Sequence, residues 1–303
     1  MPRNIFTTVL ALLIFCSASF SQDDEAPTPV SKTKRGFHAG LFVGTLFANK
    51  YTASLYDGYG FDLGGHKNNF DNSAMQRKIV VEYGGNHGAQ PDRIAQSLNV
   101  NSTDWQFTES DMPINLKYNV AFLLGLNTRY CINNKNAIIL NVNAAKLSVT
   151  GSFTITLLTS SINATTPGYQ NFKTFTIIGA EQRLLFQLGY QYIFGDSEDP
   201  FNFFVEGGLA CSLAKYDKNQ IIINSLQIDL RVYYDQLGYQ TFRAKNMTGV
   251  GFGAFGGFGL NLSASQKWTI QLLYAPSLEN INIGEYSKET LQHAVGLRAY
   301  YNL

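Results

Sequence analysis

The chain is poor in the residues that most often carry chemistry. It holds 3 cysteines, 4 histidines and 8 prolines among 303 residues. No G-x-S-x-G, H-E-x-x-H or phosphate-loop pattern occurs, which removes the common hydrolase, metalloprotease and nucleotide-binding signatures. Charge is scarce, at 15% Asp, Glu, Lys and Arg, and nearly cancels to a formal +1. That balance gives no electrostatic case for nucleic acid. Past residue 21 there is no run of about twenty apolar residues, so no helix there can cross a bilayer.

What is present begins with MPRNIFTTVLALLIFCSASFSQ. Arg3 gives a basic start, Thr7 to Phe15 a short apolar core, and Ser19 and Ser21 the small residues before a cleavage point. This predicts a secretory signal peptide over 1–21. Residues 22–35, QDDEAPTPVSKTKR, are polar and Pro-containing and read as a disordered leader. Residues 36–303 read as one domain, Gly-, Asn- and aromatic-rich. Cys131 and Cys211 fall near opposite strand ends, so two thiols are expected rather than a disulfide.

The stretch INLKYNVAFLLGLNTRY, 114–130, alternates apolar and polar residues almost without interruption. A side-chain period of two means a strand between two different environments. Seven further segments alternate likewise: 37–49, 137–157, 174–194, 201–214, 248–262, 268–276 and 291–303. The third strand, 137–157, shifts its apolar phase from Ile138, Leu140 and Val142 to Leu147, Val149, Phe153, Ile155 and Leu157. A β-bulge near Ala144 to Lys146 is expected there. Short turns (133–136, 195–200, 263–267) alternate with long connections at about 50–113, 158–173, 215–247 and 277–290. Tyr130, Tyr190, Tyr192, Phe194, Phe201, Phe203, Trp268 and Tyr301 cluster near short turns or the C-terminus on the apolar face. Phe47, Tyr118, Phe153, Phe175 and Tyr274 read as a second girdle at the other rim.

Sorted loops, an even strand count and aromatic girdles predict an all-β fold: an eight-stranded antiparallel up-and-down transmembrane β-barrel with long extracellular loops. Apolar side chains meet lipid, and the sheet closes because hydrocarbon tolerates no unpaired backbone edge. The pattern resembles the bacterial outer-membrane β-barrel domain family that includes the OmpA transmembrane domain and the PorT-like barrels. The resemblance rests on the export signal ending FSQ, the strand and loop rhythm, and the final LRAYYNL; the last residue, Leu303, departs from the aromatic usual in that family. The short turns mark the periplasmic rim, and both termini are expected on that side. The resemblance implies an outer-membrane address and an eight-stranded barrel, with outer-membrane lipid as a partner. It implies no particular job.

Lys117, Arg129, Lys146, Glu181, Arg183, Glu206 and Arg298 are expected to face inward as a lumenal charge network that plugs a narrow barrel. The inward glycines 249, 251, 253, 257 and 259 leave room for bulky neighbours. His66 and His87 share the first long loop with Asp57, Asp62, Asp71 and Glu82, but their spacing matches no ligand motif; neither metal nor cofactor is expected. That loop also carries a short helix at PDRIAQSL and a strand-like RKIVVEYGG. Tyr56, Tyr59, Phe61, Trp105, Phe107, Tyr233, Tyr234 and Tyr239 are more aromatics than solvated loops need. They read as the core of a folded cap, as a binding patch, or as both. The leading functional expectation is a non-enzymatic envelope protein that docks other envelope or surface proteins through these loops. A narrow channel or small-ligand carrier is the alternative, and a lipid-modifying enzyme a third.

Overall fold

A computed structural model describes residues 35–62, 66–85, 91–158, 171–195, 199–234, 241–243, 248–265, 267–283 and 289–303, the backbone alone for 232–234 and 241–243. Eight strands form its frame: β1 Gly36–Phe47, β2 Ala121–Cys131, β3 Asn136–Leu157, β4 Asn171–Ile193, β5 Phe201–Ile223, β6 Thr248–Ser263, β7 Trp268–Glu279 and β8 Thr290–Asn302. Each pairs antiparallel with its sequence neighbour. β1 also pairs with β8, from His38↔Asn302 to Phe47↔His293, and this closes the ring. The result is an eight-stranded antiparallel β-barrel with no free edge along its wall.

The alternation in the sequence maps onto the two faces. Leu126, Leu188, Phe203 and Leu209 point outward and are 57–72% exposed. Their neighbours Asn127, Gln187, Asn202 and Ala210 are buried within. Tyr130, Tyr190, Phe194, Phe201, Phe203 and Trp268 are exposed, and Trp268 packs edge-on against Tyr301. An apolar exterior around a polar interior inverts the layout of a water-soluble barrel and suits a hydrocarbon solvent. None of the helices described is long and apolar enough to cross a membrane; this chain crosses with strands.

Two features of the wall depart from the sequence reading. First, β3 has no bulge: its odd residues, from Ala137 through Ile155, stay on the buried side. The extra residue lies in the chain before β2. Tyr118 pairs with Val149 while Leu123 pairs with Ala145, so five steps on one strand meet four on the other. This irregularity reverses the facing of Lys117 and Tyr118 relative to β2. A second register shift lies where β4 meets β5, at Ala180/Glu181. Second, Leu147, Val149, Phe153 and Ile155 point inward because β3, β4 and β5 extend beyond the barrel mouth. There the oily environment is the inside.

That upper interior is a second core. Ala74, Met75, Ile79, Ile94, Leu98, Phe107 and Met112 from the first long loop pack against Phe153, Ile155, Phe175, Ile177, Ile221 and Ile223 from the wall. A hairpin strand, Leu226–Asp229, folds back on β5 and adds Ile228. Tyr118, Phe153 and Phe175 therefore do not form an outer girdle; Phe153 and Phe175 sit in this core, and Tyr118 points into the mouth. RKIVVEYGG is helical over Arg77–Glu82, not a strand. Burying Ile79 against the loop core outweighs the weak β-preference of Ile79, Val80 and Val81. The expected helix at PDRIAQSL forms at Arg93–Leu98, capped by the Asp92 carboxylate on the Ala95 amide at 2.7 Å and stopped by Asn99 at φ 58°.

Candidate functional site: a filled lumen under a folded cap

The lumen is filled in tiers. Near the short-turn rim, Arg298 grips Glu206 with both terminal nitrogens, at 2.8 and 3.0 Å. Gln191 Nε2 donates to the same carboxylate at 2.9 Å, and Gln271 Nε2 donates to Asn261 Oδ1 at 2.9 Å. Arg129 donates to Gln191 Oε1 at 3.3 Å, and its guanidinium lies 4.5 Å above the Tyr300 ring. His38 hydrogen-bonds Asn302 in the same tier. Both members of the Glu206–Arg298 pair are almost fully buried, so each charge depends on the other for compensation.

An apolar cluster packs beside and above these charges: Phe42, Leu46, Leu123, Leu147, Leu185, Phe204 and Leu273. Here the inward glycines of β6 explain themselves. A Cβ on Gly259 would lie 3.0 Å from the Phe204 ring and 1.9 Å from the Leu272 carbonyl oxygen. One on Gly251 would overlap the Asn280 carbonyl oxygen at 1.2 Å. The glycines bring two stretches of backbone into close approach.

The upper tier joins barrel to cap. Arg183 Nε donates to Glu181 Oε1 at 2.5 Å, and Arg183 Nη1 donates to Gln292 Oε1 at 2.5 Å. Thr52 Oγ1 and the Tyr118 hydroxyl each lie 3.3 Å from Arg183 Nη2. Two hydroxyls cap the other carboxylate oxygen: Tyr56 at 2.8 Å and Tyr118 at 3.0 Å. Tyr56 reaches it from a single turn, Ser54–Tyr56, that drops into the mouth. Its ring stacks on Tyr216 at 5.2 Å and rests where a Gly179 Cβ would sit, 2.2 Å from Tyr56 Cδ1. Burial, reinforced by the Glu181 charge, holds the Tyr56 hydroxyl far above its usual range, so it stays a donor. Beside it, burial raises the Asp57 carboxyl even though Lys67 Nζ, 2.5 Å away, pulls it down.

Of the residues singled out as lumenal, Arg129, Glu181, Arg183, Glu206 and Arg298 lie inside. Lys117 and Lys146 do not. Both are exposed on the outer wall, because the β3 phase never changes and the irregularity before β2 turns Lys117 outward. Of the loop aromatics, Tyr56, Phe61 and Phe107 are buried in the cap interior and cannot form a partner-binding patch. Tyr59 and Trp105 are half-buried; the Trp105 indole donates to Asp92 at 2.9 Å, and Lys67 sits 4.3 Å over the Tyr59 ring. Tyr233 and Tyr234 are described by backbone only, in a short ladder with Thr241–Arg243; Tyr239 lies outside the described residues. His66 is exposed beside Asp62, and His87 lies outside the described residues. Among the described residues no three His, Cys, Asp or Glu side chains cluster as a metal site would need. Sequence reasoning missed Tyr56 as a plug, together with Thr52, Tyr118 and Gln292. The signal available was Gly179, an inward glycine that needed a bulky partner.

Fold and interior together define an eight-stranded barrel with an apolar wall and a filled core. No family model matches the chain, and no curated protein matches it. Among solved structures it is similar to Neisserial surface protein A, with 8% identity over 88% of this chain and 97% of that one, at a TM-score of 0.40. The outer membrane protein OprG of Pseudomonas aeruginosa is similar at 9% identity, 89% and 97% coverage and a TM-score of 0.40. The attachment invasion locus protein Ail of Yersinia pestis follows at 10%, 88% and 98%, and 0.33. Likenesses this remote carry nothing about function.

Proposed function

We propose that the protein is a non-enzymatic barrel of the bacterial outer membrane that works by presenting its folded cap to other envelope or surface proteins, not by passing solutes. The observation behind this reading is the continuity of side chains from the Glu206–Arg298 pair to Tyr56 and the cap core. Long loops that bury Met75, Ile79, Ile94 and Phe107 hold a fixed shape, which is what a docking face requires. The partner-facing surface is the outside of the cap, since Tyr56, Phe61 and Phe107 are committed to its inside. Planar-bilayer recording and photo-crosslinking from the cap in intact cells test the two halves of the proposal. Silent bilayers and a reproducible crosslinked partner are expected. Unitary conductance steps, or a cap that crosslinks to nothing, would overturn it.

A further inference from the structure

Lys146, displaced from the lumen, and Lys215 of β5 define a feature of the outer wall. Leu124, Ala144, Leu184, Leu213 and Val250 lie in one row across five adjacent strands, each paired with the next. The next outward tier toward the cap reads Lys146, Gln182, Lys215 and Thr248, again paired in sequence, with Phe122 at its β2 edge. Together these residues line a groove of about 790 Å³ on the barrel exterior. Ala144 supplies the dent, between the larger Leu124 and Leu184.

The chemistry changes across a single tier. Below is hydrocarbon; above are two ammonium groups with an amide between them. Lys146 and Lys215 stand two strands apart, about 10 Å, so their extended arms can converge on one group above Gln182. The nearest acid, Asp217, is 3.7 Å from Lys146 Nζ, in a pair that is 70% and 37% exposed and weakly held. Elsewhere on the wall the outward positions near the same rim are Phe47 on β1, Leu278 on β7 and Leu291 on β8. Lys117, exposed opposite Thr150 of β3, lies outside the groove, whose lining cations are Lys146 and Lys215.

We propose that this groove holds one membrane lipid with a phosphate headgroup. Its acyl chain lies along Ala144 between Leu124, Leu184 and Leu213, and its phosphate sits between Lys146 and Lys215. The assignment rests on the reading of the chain as a membrane barrel. An anionic lipid gains about the attraction of two lysines at a membrane surface, which a zwitterionic lipid lacks.

Native mass spectrometry of the detergent-purified protein, titrated with dioleoyl phosphatidic acid or dioleoyl phosphatidylcholine, tests the proposal. Wild type should retain one phosphatidic acid and prefer it by about thirtyfold, the product of two cationic contacts. K146Q/K215Q should lose that preference, L184W should lose the bound lipid, and K267Q, at the short-turn rim, should change neither. Equal retention of both lipids, an unchanged preference in K146Q/K215Q, or an equal loss in K267Q would overturn the site. Full competition by inorganic phosphate at equal concentration would also overturn it, by showing a bare anion site. Each variant is first checked for different migration boiled and unboiled. A protein that stays dispersed without detergent would sink the membrane reading itself, which separates that failure from failure of the groove.

Discussion

Replacing Tyr56 separates the stability of the cap from that of the barrel. The side chain is fully buried, stacked on Tyr216, and donates to the Glu181 carboxylate at 2.8 Å and the Ala180 carbonyl at 3.2 Å. Truncating such an aromatic to alanine costs roughly 3–5 kcal/mol. Tyr56→Phe keeps the ring and removes one hydrogen bond to a charged group, about 1.5–3 kcal/mol. The lower end applies, because Glu181 still accepts from Tyr118 and Arg183. The wall does not need Tyr56 for any ladder hydrogen bond, so the loss appears as local opening of the cap. At 1.4 kcal/mol per power of ten, Tyr56→Ala raises that opening by about two to three and a half powers of ten and Tyr56→Phe by about one. Hydrogen exchange with mass readout, in detergent, measures this directly. Amides of the helix Arg93–Leu98 and its surroundings should exchange faster by those factors, while β2 and β8 keep their protection. Unchanged loop protection, or an equal loss in loop and strands, would refute the plug.

Three further outcomes follow from the interior. Gly179→Ala sets a methyl group 2.2 Å from the Tyr56 ring, so it should open the cap much as Tyr56→Ala does and add little when combined with it, read by the same exchange experiment. Arg298→Met leaves Glu206 charged and buried with Gln191 as its remaining donor, and should cost about 3–5 kcal/mol in urea unfolding; adding Glu206→Gln should recover most of that loss. Asp57 has its carboxyl raised by burial, so its contribution to stability is full below the ordinary carboxylate value and is lost as pH rises through the raised one. Acidification across that window should slow pepsin nicking of the first loop relative to Asp57→Asn, and identical pH profiles would contradict the assignment.

The wall was legible because lipid imposes a period of two. Leu124, Leu126, Leu188 and Leu209 face out with polar or small neighbours facing in, and sorted loop lengths marked the two rims. Above the membrane the same physics misled. There the interior turns oily and the exterior polar, so Leu147 and Val149 looked like a change of phase on a strand that kept its phase. Lys146 was placed inside by that inference, and Lys117 by reading 114–130 as one uninterrupted strand. The cap was harder still. Ile79, Val80 and Val81 carry a β-preference that only the tertiary packing of Ile79 overrides. Nothing in the spacing of Tyr56 announces Gly179 and Glu181 as its partners, since they lie more than a hundred residues away and meet it only once the ring closes.

A nitroxide scan of β3 in a background lacking Cys131 and Cys211 reads which face of the strand meets lipid at each height. Collision rates with oxygen, which dissolves in hydrocarbon, and with a water-soluble nickel chelate are measured at each position from 137 to 150. Oxygen contact is expected at 138, 140, 142 and 144, chelate contact at 146, 148 and 150, and protection from both at every odd position. Odd positions from 147 onward in contact with lipid would contradict this pattern.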